Sequence, residues 1–264
     1  MKKLTLVIFA LFLVSCAFSQ RKENISIDRY YHIRKGSLWF HSIGLNFQPV
    51  TMGDIKTEII YMYNSSDEEV TLTVDDLPAG YSVVFEPEIL KPKSEGIAKI
   101  TLNTKENGVY GPAINYFFIE TSLLSERPYR ILVSPNIHED FSAITEEMRT
   151  AGPKIEFSNT VIDFGKLPQM SVYNCEFEFR NTGKSALYIR NVKAGCGCTI
   201  TQTSRDTLLP GESALLKVEF RSGHKKGNQD NKITVVSNDP DHPQVLLHIT
   251  GIVLTPDEEK TIEK

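Results

Sequence analysis

YNCEFEF, residues 173–179, is the stretch that decides the fold class of this chain. Apolar and polar residues alternate in it, with Tyr173, Cys175, Phe177 and Phe179 separated by polar ones. Because successive side chains of a strand point to opposite faces, this alternation is typical of an antiparallel strand with one buried face and one wet face. We therefore predict a strand here, with Cys175 among its inward-facing residues.

Similar strand patterns follow at intervals of roughly ten residues. LLKVEF (215–220) alternates in the same way, and the apolar runs KITVVS (232–237) and VLLHITGIV (245–253) add two more strands. Clusters of turn-forming residues (Gly, Pro, Asn, Asp and Ser) separate these runs. Short strands at this spacing predict a β-sandwich.

The first half of the chain repeats this plan. IIYMYNSSDEEVTL (59–72) aligns with CEFEFRNTGKSALYI (175–189), which places Asn64 against Asn181. In each copy an apolar strand runs into a polar turn that begins with asparagine. Two similar copies of about a hundred residues each indicate tandem domains. The predicted fold class is all-β, with two tandem immunoglobulin-like β-sandwich domains after a cleaved signal peptide.

The N-terminus has the pattern of an export signal. Two lysines precede an apolar run over residues 4–14, which is too short to cross a bilayer and has the length of a secretory core region. AFS (17–19) fits a signal peptidase site and predicts Gln20 as the first mature residue. LVSC (13–16) also resembles a bacterial lipobox, in which Cys16 would carry a lipid.

The predicted layout has six parts. They are a signal peptide (1–19), an N-terminal segment (20–40), a first sandwich (41–135), a linker (136–153), a second sandwich with the Cys-Gly-Cys motif (154–254) and a disordered tail (255–264). The N-terminal segment ends in aromatic residues, and we expect it to add an edge strand or to cover the first sandwich. We expect one or two helical turns in the linker.

Several stretches of the second copy resemble one protein family. VIDFGKL (161–167), VKAGCGCT (192–199) and VVSNDPDHPQVLLHITGIV (235–253), in this order, resemble a family of exported bacterial modules catalogued as Domain of Unknown Function family 1573. The resemblance covers residues 155–254. It implies an immunoglobulin-like sandwich, related to the Hydin-type and major-sperm-protein-type sandwiches, and a place in the cell envelope. It implies no reaction, and the first copy lacks the cysteine motif.

The motif Cys196-Gly197-Cys198 is the strongest candidate for chemistry. Its two thiolates would suit a soft metal such as Cu(I), or Zn²⁺ when further ligands such as Cys175 join them. A disulfide from Cys175 to either partner would close a loop of roughly two dozen residues and stabilise the fold by about 3 kcal/mol. A redox role would need an exposed thiolate of low pKa. The simplest interpretation is structural, with small thiols, free or bridged, packed near Cys175.

The sequence has no other catalytic signature. It lacks Gly-x-Ser-x-Gly, His-Glu-x-x-His and a glycine-rich phosphate loop. Asp239 and Asp241 lie close together in SNDPDHP (237–243), but the segment lacks further spaced oxygen ligands for calcium, and Asn-Asp-Pro favours a turn. His248 and the other histidines near the motif are interpreted as surface residues. We therefore predict no catalytic residue, no metal and no cofactor.

Composition limits the partners. The formal net charge of −4 at pH 7 gives no basic footprint for nucleic acid. We predict a non-enzymatic protein, exported to the periplasm or outer membrane of a Gram-negative bacterium, that binds another envelope protein or scaffolds an assembly. A lipid on Cys16 would be its membrane contact. The alternative is a thiol-redox or copper- or zinc-handling module that uses Cys196 and Cys198.

Overall fold

The computed structural model describes residues 26–123, 126–195 and 199–258. Strands make up most of the regular structure in these ranges, so the predicted all-β fold class is confirmed. The described helices are short: α1 (Ile27–Tyr30), α2 (Thr104–Asn107) and α3 (Glu146–Thr150). The last of these lies where the sequence predicts a helical turn.

The strands are numbered in chain order. The first eleven are β1 (Ile33–Lys35), β2 (Leu38–Phe40), β3 (Gly44–Thr51), β4 (Ile55–Asn64), β5 (Val70–Asp75), β6 (Tyr81–Glu86), β7 (Ile89–Leu90), β8 (Glu95–Asn103), β9 (Gly111–Pro112), β10 (Asn115–Thr121) and β11 (Tyr129–His138). The others are β12 (Ile155–Phe157), β13 (Val161–Pro168), β14 (Val172–Asn181), β15 (Leu187–Ala194), β16 (Thr199–Thr203), β17 (Thr207–Leu208), β18 (Ser213–Arg221), β19 (Gly227–Ser237) and β20 (Gln244–Leu254).

The first eleven strands form two sheets. One has the order β1-β2-β4-β8-β6, and the other has the order β3-β11-β10-β5-β7, with β9 paired to β11. Burial alternates along them as a half-buried sheet requires. In β8, for example, Ala98, Ile100 and Leu102 are fully buried, and the residues between them are partly exposed.

The N-terminal segment adds to the first of these sheets. β1 pairs with β2 and β2 pairs with β4, so the segment extends the sheet at one edge. The ring of Tyr30, at the end of α1, stacks on His41 with a centroid distance of 4.4 Å. Trp39 lies directly opposite Tyr63 in the ladder, and their rings are 5.7 Å apart. Ring packing therefore fastens this segment to the sheet.

The remaining strands form two further sheets with one core. Their orders are β12-β14-β18-β16 and β13-β20-β19-β15-β17. Phe177 and Phe179 of β14, Leu216 of β18, and Leu247 and Ile249 of β20 are buried together in a single hydrophobic cluster. Both sheets thus turn one face towards the same core, and the inward residues predicted from the alternating pattern are confirmed.

Close packing in this core requires a glycine at one position. Gly251 in β20 has a φ of 151°, and a Cβ at this position would overlap the ring of Phe164. Phe164 lies on β13, which pairs with β20 in parallel. A side chain here would push that ring away, so the glycine permits β13 to lie against β20.

The chain divides into two compact units. The first comprises Met1–Asn46, Thr57–Leu102 and Asn115–Val133, and the second comprises Phe47–Lys56, Asn103–Ile114 and Ser134–Lys264. Parts of the first half therefore cluster with the second unit. The domain bounds that the sequence indicates stay predictions.

Candidate functional site

Cys175 lies in the middle of β14, directly opposite Val218 of β18. It is half-buried and packs against the edge of the second unit's core. Its thiol is free. Burial, followed by the negative charge of Glu176, raises the pKa of this thiol to about 11. The thiol is therefore protonated at neutral pH, unlike the reactive cysteine of a redox enzyme.

The rest of the cysteine motif lies outside the described residues. This applies to Cys196, Gly197 and Cys198, and also to Cys16 at the N-terminus. The flanking residues are described: the backbone N–H of Gly195 donates to the carbonyl of Lys232 at 2.8 Å, and β16 begins at Thr199, opposite Phe220. The motif therefore separates a strand of one sheet from a strand of the other. Metal binding, disulfide formation and lipidation at these cysteines stay predictions.

The segment SNDPDHP forms a turn, and its first carboxylate accepts hydrogen bonds from backbone groups. Asp239 is completely buried, and its oxygens accept the backbone N–H groups of Ile155 at 2.9 Å and Asp241 at 2.8 Å. The first of these bonds attaches the turn to the start of β12. Buried carboxylates that accept backbone N–H groups hold a fold together. The turn interpretation is therefore preferred to a calcium site.

The carboxylate of Asp241 also interacts with protein groups. Its carboxylate lies 2.8 Å from the guanidinium of Arg149 and 3.6 Å from the ammonium of Lys154. The hydrogen bond from Arg149 is the main reason that the pKa of Asp241 is lowered. This pair ties α3 to the turn within the second unit. Among the described residues, no group of three or more His, Cys, Asp or Glu side chains is arranged to hold a metal ion.

His248 faces outward on β20, as the sequence indicates. Leu247 and Ile249 on either side of it are fully buried, whereas the Nδ1 atom of His248 lies 2.7 Å from the carboxylate of Asp230 on β19. This pair joins neighbouring strands on the outer face of the sheet. Polar side-chain pairs across neighbouring strands stabilise a sheet modestly.

The clearest surface feature lies in the first unit, on β10 and on the part of β11 up to Val133. Tyr116 is directly opposite Leu132 in the ladder, and Phe118 is directly opposite Arg130. These four residues, which we call the aromatic face, alternate with fully buried residues such as Phe117 and therefore point away from the core. Tyr116 is 42% exposed and Leu132 is 36% exposed.

The residues of the aromatic face contact one another. The rings of Tyr116 and Phe118 meet edge to face with a centroid distance of 5.7 Å. The guanidinium of Arg130 lies 4.3 Å from the centre of the Tyr116 ring. Arg130 makes no ion pair with any described residue. The face thus combines apolar rings with a cation that forms no ion pair with any described residue.

The interpretation of the sequence missed the aromatic face, although a signal for it is present. In NYFFIE (115–120), both the inward and the outward positions are occupied by large apolar residues. A strand of a sheet with one wet face normally carries polar residues on its outer side. Aromatic residues on both sides of such a strand therefore indicate a second, uncovered apolar surface.

Comparisons with known proteins support the family resemblance and the fold. Residues 155–253 match the model of a family described as "Protein of unknown function (DUF1573)". No curated protein matches the chain. A protein of unknown function from Porphyromonas gingivalis W83 aligns with a TM-score of 0.64 and 19% identity, over 82% of this chain and 100% of that chain. The resemblance predicted from the motifs is thus confirmed for residues 155–253, and the P. gingivalis structure shares the fold.

Two other solved structures align at much lower similarity. The ASH/PapD-like domain of human CEP192 aligns with a TM-score of 0.33 and 12% identity, over 45% of this chain and 98% of that chain. The E. coli chaperone DraB aligns with a TM-score of 0.31 and 12% identity, over 80% of this chain and 95% of that chain.

In the described ranges, no helix has both the length and the hydrophobicity needed to cross a membrane.

Proposed function

We propose that this chain is a non-enzymatic binding protein of the bacterial cell envelope, and that the aromatic face on β10 and β11 binds another protein. The exposure of Tyr116 and Leu132 on the outer side of the sheet is the observation that carries the proposal. Exposed apolar groups that are contiguous and ordered commonly mark interaction sites. The face belongs to the first unit, outside the part of the chain that matches the family model.

The composition of the face supports a protein partner. Tyrosine and arginine are enriched among the residues that contribute most to protein–protein binding, because each combines a large contact area with polar atoms. The Tyr116–Arg130 stack is preformed, so binding costs little side-chain entropy there. Because Arg130 makes no ion pair with any described residue, we infer that the partner contributes an acidic side chain surrounded by apolar ones.

A non-enzymatic role fits the properties of Cys175. Its pKa is raised to about 11, which leaves too little thiolate at neutral pH for a nucleophile. The envelope location is proposed from the N-terminal export signal and from the family that residues 155–253 resemble. Anchoring by a lipid on Cys16 belongs to the same proposal.

The test uses the mature protein, immobilised and exposed to solubilised native envelope. Tyr116→Ser is compared with Tyr188→Ser, since Tyr188 is 41% exposed and also lies under an arginine, with 5.3 Å between the Arg190 guanidinium and its ring. A partner retained by wild type and Tyr188→Ser but lost by Tyr116→Ser supports the proposal. A photo-crosslinking residue at Leu132 should label the same partner.

A partner that binds wild type and Tyr116→Ser equally would contradict the proposal. Arg130→Glu then tests the electrostatic part separately. This variant should weaken binding more than Arg130→Leu does, because it places like charges in contact if the partner's group is acidic. Equal losses in the two variants would reject the acidic group.

A further inference from the structure

Among the described strands, β6 is the last of its sheet and has one unpaired edge. The sheet order ends β4-β8-β6, and β6 pairs with β8 over six consecutive residue pairs without a register shift. Outside this ladder, Ser82, Val83, Val84 and Phe85 make no hydrogen bond with any described residue. Their outward backbone groups are therefore available to another strand.

Most other terminal strands are protected against such pairing. β1, β7, β12 and β17 are three residues long or shorter. β13 has a register shift between Asp163 and Lys166, and β3 contains Pro49. Short strands, bulges and prolines are the usual devices that prevent edge-to-edge pairing. β6 has none of them, and it is longer than β16, the remaining terminal strand.

The side chains of β6 also leave apolar surface uncovered at this edge. Val84 points outward and is 54% exposed. Val83 and Phe85 lie on the opposite face of the strand from Val84, but they are still partly exposed. An added strand would cover their open sides. The edge thus offers both unpaired backbone groups and apolar contacts.

We propose that two copies of this chain pair through β6, antiparallel to each other and centred on Val84. The two-fold axis of such a pair stands perpendicular to the sheet, so each side chain stays on its own face. Opposite residues must then both be inward or both be outward. Centred on Val84, the pairing places Val84 opposite Val84, Val83 opposite Phe85, and Ser82 opposite Glu86.

This register is self-complementary, which is why the proposed partner is a second copy. Apolar residues meet apolar residues at the central pairs. Glu86 meets a serine and not a second carboxylate, and it is already bound by Lys99 of its own chain at 2.6 Å. An isologous interface requires one surface to complement itself in this way. The result would be a continuous sheet made from two five-stranded halves.

Because only one strand pair forms the contact, we expect a weak dimer that depends on concentration. Sedimentation velocity of the mature protein across a wide concentration range should show a reversible monomer–dimer equilibrium. Val84→Lys should raise the dissociation constant at least about tenfold, since two lysines would then face each other. Val161→Lys is the matched control, because Val161 is 55% exposed on the terminal strand β13.

A charge swap tests the register itself. Val84→Lys and Val84→Glu should each be monomeric alone, and an equimolar mixture should restore the dimer, because the opposite charges would face each other. Thermal melts of each variant show that it is folded. A wild-type protein that stays monomeric at all concentrations, or a mixture that does not associate, overturns the proposal. Tyr116→Ser should still dimerise, so failure here is distinct from failure of the proposed binding face.

Discussion

Asn64 and Asn181 occupy equivalent positions in the two units and make the same hydrogen bonds. Both are completely buried. Each donates its side-chain amide to the carbonyl four residues further along the chain, at 2.8 Å in both cases. Each also accepts, at 3.0 Å, the backbone N–H two residues further along. The alignment of the two halves in the sequence therefore reflects the same turn, held in both by the hydrogen bonds of a buried asparagine.

Replacing Asn181 by Ala should lower the free energy of unfolding by about 2–4 kcal/mol. The substitution removes several buried hydrogen bonds and leaves carbonyls such as that of Leu208 without this donor. Asn64→Ala should have a similar effect in the first unit. Urea denaturation measures both, with the exposed Asn174→Ala as the control. Equal stability of Asn181→Ala and Asn174→Ala would contradict the structural role.

The buried asparagines explain why the repeat could be predicted from sequence. Alternating hydrophobicity is a local property, so it identified the strands and their inward faces, including Phe177 and Phe179 of β14. Strand partners are not local. The parallel pairing of β13 with β20, with Val161 opposite His248, has no periodic signature. The open edge of β6 is likewise a consequence of sheet order, which a single strand's pattern does not contain.

Glu126 should make the stability of the first unit depend on pH. Its carboxylate accepts hydrogen bonds from the hydroxyls of Tyr129 at 2.5 Å and Ser37 at 2.7 Å. Burial alone would raise the pKa of Glu126, but these bonds outweigh it and lower the pKa below the ordinary value of 4.5. A lowered pKa stabilises the fold above pH 4.5, and this stabilisation is lost as the pH falls through the pKa of the folded state.

Glu126→Gln is therefore expected to destabilise the protein at pH 7 by about 1–3 kcal/mol. The difference in unfolding free energy between wild type and Glu126→Gln should shrink as the pH falls below the ordinary glutamate pKa. Urea midpoints at neutral and acidic pH measure it, and the exposed Glu88→Gln serves as the control. A gap that stays constant with pH would show that the charge of Glu126 plays no part.

The raised pKa of Cys175 predicts that its thiol reacts slowly with alkylating reagents. Alkylation by iodoacetamide should be slow at pH 8 and should accelerate as the pH rises towards about 11, because burial and then Glu176 disfavour the thiolate. A protein that starts at Gln20 and carries Cys196→Ser and Cys198→Ser isolates this thiol. Unfolding in urea should make it react at the ordinary rate. Rapid alkylation of the folded protein at neutral pH would contradict the prediction.

The metal-handling alternative has its own measurement. Elemental analysis of the mature protein should find no stoichiometric copper or zinc if Cys196 and Cys198 are structural. One equivalent of either metal, lost in a variant with both cysteines replaced by alanine, would instead establish a metal site.

If the chain is exported as proposed, its N-terminus decides between two forms of the mature protein. Mass spectrometry of protein purified from its native envelope should show a chain that begins at Gln20, free or cyclised, if signal peptidase cuts after AFS (17–19). A chain that begins at Cys16 with attached acyl groups would establish the lipoprotein form. Cys16→Ser would then release the protein from the membrane.

The second unit's core predicts that a fragment starting at Pro153 folds alone. Every residue of its buried cluster, from Ile155 to Val253, lies within this fragment. The hydrogen bond from Ile155 to Asp239 that anchors β12 is also retained. Segments 47–56 and 103–114, which cluster with this unit, contribute no residue to that core. Circular dichroism should therefore show a β-rich spectrum and a cooperative melt, and limited proteolysis should leave the fragment intact. An unfolded fragment would mean that residues outside it, in 47–56, 103–114 or 134–152, are required, and that the second sandwich is not an independent domain.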